Sequence, residues 1–176
     1  KPNENGFAVL LKPWPAMLRT LYKDPARYKE AYWSRFPGKY LTGDSCTKDA
    51  DGYFWFRGRA DEVLNVAGHR LGTAEVESAL VAHAAVAEAA VIGVPHEVKG
   101  DVPKAYVTLK VGFEKTDALK KELIEWVGKE IGAIAKPDSI EFRDKLPKTR
   151  SGKIMRRLLK AEALGKPVGD ISTLDE

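Results

Sequence analysis

The sequence predicts an α+β fold, a short antiparallel sheet with flanking helices preceded by a β-rich segment. Three observations predict it. Asp49-Ala50-Asp51-Gly52 has the Asp-Gly form of a hairpin turn and leads into the aromatic run Tyr53-Phe54-Trp55-Phe56. The apolar runs at 86–94 and 102–109 suit paired strands and are too short to span a bilayer as helices. From Asp117 to Ile131, Leu119, Leu123, Ile124, Val127 and Ile131 recur at helical spacing.

The elements follow in order. Gly6–Leu11 reads as a strand that starts almost at once, without an initiator Met or an earlier partner, so a piece of a longer chain is expected. Pro13 and Pro15 end it, because proline has no N–H for a ladder. Asp24-Pro25 opens a helix to about Ser34, with aspartate as N-cap and proline in the first turn. Its Tyr28, Tyr32 and Trp33 are expected to pack on a neighbour rather than stack on bases. Tyr40–Asp44 is a short strand closing in a Gly-Asp turn. The polar stretch Arg57–Glu62 between hydrophobic strands is the candidate boundary, dividing the chain into 1–60 and 61–176. Val63–Val66 resumes a strand, Ala67–Arg70 turns, and Thr73 is expected to cap a helix carrying Val76, Leu80 and Val81 on one face. Pro95 is expected to stop the next strand, and Pro137–Phe142 forms a short one. A basic loop, Leu146–Arg157, runs into the last helix, with Ser151 or Thr149 as cap. Ile154 with Leu158 and Met155 with Leu159 face a core there, and Arg156, Arg157 and Lys160 fall on the other side. From Asp61 onward the helices are expected on one face of the sheet, and the tail after Gly165 is expected to be mobile.

Composition narrows the function classes. A chain of 176 residues with 44% hydrophobic and 31% charged residues has the makings of a globular core. A net charge of +4 permits an anionic ligand without demanding nucleic acid or a membrane. Cys46 is the single cysteine, so no internal disulfide forms, which fits a reducing, cytoplasmic setting. His69, His83 and His96 lack zinc spacing, no nucleophile–His–acid arrangement is legible, and Ser151-Gly152-Lys153 is not a P-loop.

The candidate chemistry is anion handling. Lys153, Arg156 and Arg157 are placed in the first turns of the last helix, where the macrodipole is already positive and each cation costs about 0.3–1 kcal/mol. Such a cluster suits a phosphate or carboxylate, or is a solvated basic face. Asp44 can accept from two vicinal ribose hydroxyls, or bond its own turn backbone. Arg59 and Arg70 carry forks suited to phosphate, or are surface arginines. Gly68 and Gly72 serve tight turns, or let a narrow ligand pass the backbone.

Four stretches then add a resemblance: Tyr40-Leu41-Thr42-Gly43-Asp44, Asp51-Gly-Tyr-Phe-Trp-Phe-Arg-Gly-Arg59-Ala-Asp61, Asn65-Val-Ala-Gly-His-Arg-Leu-Gly-Thr-Ala-Glu-Val-Glu77, and Pro147-Lys-Thr-Arg-Ser-Gly-Lys153-Ile. Together they resemble the later motifs of the adenylate-forming acyl-CoA synthetases, most nearly the AMP-forming, acetate-activating branch. The resemblance covers nearly the whole chain, in order. The family's phosphate loop and acyl pocket are absent, which implies the trailing segment of a large N-terminal domain (1–60), a hinge, and a small mobile C-terminal domain (61–176).

The family reaction joins a carboxylate to the α-phosphate of ATP, releasing pyrophosphate, and then transfers the acyl group to coenzyme A, releasing AMP. The resemblance implies Lys153 as the catalytic lysine of the first step and Asp44, Arg59 and Arg70 as nucleotide-binding residues. It implies Asp61 as the hinge and Ala67 and Gly68 as lining the coenzyme A tunnel. Mg2+ accompanies ATP, and a further cation is expected at Val81, His83 and Val86. Lys153 is also the kind of lysine this family acetylates, which implies a lysine acetyltransferase and deacetylase as partners. Two departures stand out. Gly128 sits where many members carry an arginine that contacts coenzyme A, leaving Lys129 as a substitute, and Ala84 follows His83 where proline is common. Acetate, propionate or another short acid fits equally, because the acyl pocket lies outside the chain. A free-standing anion-binding module is the reading from another class.

Overall fold

The computed structural model describes residues 3–175. The chain divides into two compact units, Lys1–Asp61 and Glu62–Glu176.

The first unit is a three-stranded antiparallel sheet in the order β1-β2-β3, with β1 at Asn5–Leu10, β2 at Tyr40–Lys48 and β3 at Phe54–Arg59. Helix α1 (Pro25–Trp33) starts as expected: the Asp24 carboxylate accepts from Arg27 N at 3.0 Å. Its aromatics pack on β2, with Tyr32 stacked on Tyr40 at 5.1 Å between centroids and Trp33 edge-on to the same ring. The first strand pairs with a later one, Gly6 lying opposite Cys46 on β2. Two expectations change. β2 runs through Gly43-Asp44 to Lys48, because a bulge after Ser45 bends the strand without ending its ladder. β3 extends to Arg59, since pairing of Gly58 with Ser45 and Arg59 with Asp44 satisfies the backbone whatever the polarity of the side chains.

The second unit holds β4 (Val63–Val66), β5 (His69–Gly72), α2 (Thr73–Val81), β6 (Val86–His96), β7 (Gly100–Leu109), α3 (Asp117–Ile131), β8 (Ser139–Phe142) and α4 (Arg156–Ala163). The sheet order is β5-β4-β7-β6, with β8 added to β7. Most pairs are antiparallel, but β8 lies parallel to β7, and the crossover that parallel pairing needs is supplied by α3. Residues His69–Gly72 form a strand rather than a turn, because β4 and β5 pair in register from Val66–His69 to Val63–Gly72. β6 continues through Pro95, on the outer strand of the sheet, where a missing N–H breaks no ladder. Thr73 is not the cap of α2; it is buried in the first turn, with Gly72 at the cap position, and Val81 is exposed while Val76 and Leu80 are buried.

The helices do not share one face. Val76, Leu80, Leu123 and Val127 of α2 and α3 pack with Val91 and Val107 on one side of the sheet. Leu146 and Leu159 pack with Ala90, Ile92 and Tyr106 on the other. Consecutive residues Ala89 to Ile92 are therefore all buried, as in a strand covered on both faces. None of the described helices is long and apolar enough to cross a membrane.

Leu123 on α3 is fully buried. Leu123→Ala is expected to lower unfolding stability by about 2–5 kcal/mol, whereas Val81→Ala changes it by less than about 0.5 kcal/mol. Urea unfolding of the two variants checks the contrast.

Candidate nucleotide and acyl-transfer site

The basic stretch does not start the last helix. Lys148 pairs with Ile154, Thr149 N donates to Lys153 O and Gly152 N donates to Thr149 O, both at 2.8 Å, so residues 148–154 form a tight two-limbed turn. Met155 N donates to Pro147 O at 2.8 Å and closes its base. Helix α4 begins only at Arg156, with no side-chain cap, so Ser151 and Thr149 do not cap it; their hydroxyls bond each other at 2.9 Å. Lys153 is exposed, and its ammonium has no hydrogen-bond or ion-pair partner among the described residues.

Of the basic neighbours of Lys153, Lys148, Arg156 and Arg157 are committed, whereas the exposed Arg150 guanidinium, like the Lys153 ammonium, has no hydrogen-bond or ion-pair partner among the described residues. Arg156 forks onto Glu77 of α2, with Nε to Oε1 at 2.8 Å and Nη2 to Oε2 at 2.6 Å, and reaches Glu62 at 3.5 Å. The Glu77 hydrogen bonds raise the Arg156 pKa above its ordinary value, against the opposing effect of partial burial. Glu77 Oε1 also accepts from Val91 N at 2.8 Å, on the outer edge of β6. Lys148 pairs with Glu88, and Arg157 donates to the carbonyls of Val168 and Asp170. The cations at the helix start are thus structural apart from Lys153, which lies before the helix. The sequence reading missed Glu77, because the pair is separated by 79 residues and no local spacing signals it.

Asp44 and Arg59 are brought together as cross-strand neighbours in the first unit. Gly43 has φ 85°, and a Cβ there would lie 2.6 Å from Arg59 Nη1, so the guanidinium lies over the bare α-carbon. Arg59 Nε bonds Asp61 at 3.0 Å rather than Asp44. The Asp44 carboxylate does not bond its own turn: Asp44 N donates to Thr42 Oγ1 at 3.2 Å, and the carboxylate has no hydrogen-bond or ion-pair partner among the described residues. Asp61 is the last residue of the first unit and is largely exposed.

Ala67 and Gly68 form the tip of the β4–β5 hairpin, both with positive φ, 49° and 85°. That backbone suits a primed two-residue turn, which alanine adopts at a cost. Ala67 N donates to Lys99 O at 2.8 Å, and Arg70 is exposed on β5 opposite Asn65. A Cβ on Gly68 would meet no atom within 4 Å, so backbone conformation is what favours glycine in this unit.

Val81, His83 and Val86 cluster at the α2–β6 junction. Both His83 ring nitrogens are engaged, Nδ1 accepting from Ala85 N and Nε2 with Glu122, each at 3.2 Å. Among the described residues no three His, Cys, Asp or Glu side chains group as metal ligands. At Gly128, the Lys136 side chain lies across the bare α-carbon and its ammonium bonds Glu125 at 2.6 Å.

Residues 75–153 match the AMP-binding enzyme C-terminal domain. The match takes in a little under half of the chain. The chain is 61% identical over 175 residues to an acetyl-coenzyme A synthetase of Pyrobaculum arsenaticum, covering 99% of this chain and 26% of the relative. It is 58% identical over 175 residues to the acetyl-coenzyme A synthetase of Chlorobaculum tepidum, covering 99% and 27%. The chain thus spans about a quarter of the length of these curated relatives. Among solved structures, it superposes on an acetoacetyl-CoA synthetase from Streptomyces lividans with TM-score 0.88 and 25% identity, over all of this chain and 27% of that one. An anthranilate CoA ligase in complex with anthranoyl-AMP gives TM-score 0.78 and 32% identity, over 94% and 31%. The match to the AMP-binding enzyme C-terminal domain ends at Lys153, in the turn just described.

Glu77→Ala is expected to destabilise the unit more than Arg156→Ala. It removes the fork and also leaves the Val91 amide without its acceptor, roughly 1–3 kcal/mol beyond the ion pair. Urea unfolding of both variants reads this; equal losses contradict the Val91 assignment.

Proposed function

We propose that the chain belongs to an AMP-forming acetate–CoA ligase, which joins acetate to ATP as acetyl-AMP and transfers the acetyl group to coenzyme A. In this reading, 1–60 closes a large adenylation domain, Asp61 is the hinge, and 61–176 is a C-terminal domain that swings between the half-reactions. The observation that carries it is the contrast in the basic stretch: Lys148, Arg156 and Arg157 are paired, while on the turn itself the exposed Lys153, like Arg150, has no side-chain partner among the described residues. An uncompensated cation on a tight turn suits a ligand charge. Between carboxylate and α-phosphate it orients the attack and offsets developing negative charge.

Asp44 supports the same reading. Its carboxylate is free to accept from both ribose hydroxyls, with the Arg59 fork beside it on β3 for ribose or phosphate. Arg70 reaches the nucleotide in one domain orientation. In the other, the Ala67-Gly68 tip lines the path of the pantetheine arm. Mg2+ enters with ATP. Magnesium is commonly held by substrate phosphates with few protein ligands, which fits the lack of an acidic cluster among the described residues. A second cation at Val81, His83 and Val86 would be held through backbone carbonyls, since the His83 ring is engaged. A cytoplasmic setting, where ATP and coenzyme A meet, suits the single buried thiol Cys46. Propionate and other short acids fit the same residues.

Acetylation of Lys153 by a lysine acetyltransferase, reversed by a deacetylase, would remove the charge that the first step uses. The full-length enzyme carrying acetyl-lysine at 153 is expected to lose pyrophosphate exchange by about 100-fold or more. Undiminished exchange overturns the assignment. Asp44→Ala is expected to weaken ATP binding about tenfold, close to 1.4 kcal/mol, read by titration calorimetry. The 176 residues alone are expected to make no acetyl-adenylate.

A further inference from the structure

The tail after α4 is not a loose end. Arg157 donates through Nη1 to Val168 O and through Nη2 to Asp170 O, gripping the chain on both sides of Gly169. Gly169 has φ 71°, and a Cβ there would lie 3.1 Å from Arg157 Nη1, so the tail is shaped around the guanidinium. Asp170 Oδ1 then accepts from Ser172 N at 2.9 Å, and Leu174 N donates to Ile171 O at 2.9 Å. These turns bring residues 173–175 onto the basic turn.

There the tail forms a third limb. Arg150 N donates to Thr173 O at 3.2 Å and Asp175 N donates to Lys148 O at 2.8 Å, making a bridge between Thr149 and Leu174. The opposite edge of the same segment pairs with the Lys153 limb, through Thr149 N to Lys153 O at 2.8 Å and the Lys148–Ile154 bridge. Lys148–Arg150 is therefore a centre strand between the tail and the lysine. An isolated two-stranded hairpin is marginally stable in water, and a third strand is what such a ribbon needs to hold its shape. Leu174 lines one cavity with Leu146, Pro147 and Leu158.

We propose that Arg157 is a positioning residue for the adenylation step: it straps the tail onto the 148–154 turn and so fixes where the Lys153 ammonium points. This rests on the reading of Lys153 given above. Arg157 touches no substrate and acts through the tail. Lysine replaces it poorly, because one ammonium does not reproduce a planar fork across two carbonyls.

The test uses the full-length enzyme with Arg157→Ala, Arg157→Lys, a truncation after Lys166, and Lys153→Ala as reference. Pyrophosphate exchange reads the first step, acetyl transfer from pre-made acetyl-AMP reads the second, and hydrogen exchange at the Arg150 amide reads the turn. Arg157→Ala and the truncation are expected to lower the maximal rate of pyrophosphate exchange about tenfold, with KM for ATP nearly unchanged. Acetyl transfer is retained, Arg150 exchange accelerates, and Arg157→Lys recovers part of the loss. Retained adenylation despite faster Arg150 exchange overturns the proposal. Equal loss of both half-reactions overturns it too, since the tail would then serve stability alone. If Lys153→Ala keeps adenylation, the Lys153 reading falls and the strap's catalytic role with it. If Lys153→Ala loses adenylation while Arg157→Ala keeps it, only the strap fails.

Discussion

Glu77 is the joint on which the second unit depends. One carboxylate, on a helix that packs against one face of the sheet, accepts the outward amide of Val91 and forks onto Arg156 at the start of a helix that packs on the other face. A helix start carrying a cation and no side-chain cap is unfavourable by itself; the partly buried carboxylate beside it reverses the sign of that interaction. Breaking such a pair by removing one member leaves the other charge partly buried and alone, which is why the joint is costly to lose.

The consequence for function is mechanical. The 148–154 turn leads directly into α4, its base is closed by Met155 on Pro147, and Lys148 is paired with Glu88 on β6. On the same sheet, the β4–β5 hairpin is tied to the β6–β7 connection through Ala67 and Lys99. Lys153 and the Ala67-Gly68 tip are thus carried by a single body, so a unit that turns as a whole moves both together. Proposing a hinge at Asp61 asks little of the fold, since the break between compact units falls immediately after that residue.

Much of this was legible from the residues, and the misses share a cause. Helix α3 occupies the stretch its apolar period marks, Asp117–Ile131, and α1 begins at its Asp24 cap. Those are local signals. The second helical layer was not legible, because a strand covered on both faces loses its alternation and Ala89 to Ile92 read simply as apolar. The start of α4 was misplaced because long-range bonds decide it: Pro147, Lys148 and Thr149 take up the backbone of residues that local propensity assigns to a helix. The tail looked mobile on composition, polar with Pro and Gly, and is instead held by Arg157 and by Lys148–Arg150. At the site, residue logic reached anion handling and a hinge. Individual roles for Asp44, Arg59, Arg70, Gly68 and Lys153 came from motif resemblance, because which of the basic side chains are tied up, as Lys148, Arg156 and Arg157 are, is visible only once their partners are known.

The account turns on Lys153 serving one half-reaction and not the other. The most direct test is Lys153→Ala in the full-length enzyme, with pyrophosphate exchange on acetate and ATP measured beside acetyl-CoA formation from pre-made acetyl-AMP. Collapse of the first with survival of the second is the predicted result. Survival of both would make Lys153 an ordinary surface lysine, and loss of both together would contradict two steps served by alternating faces of one domain.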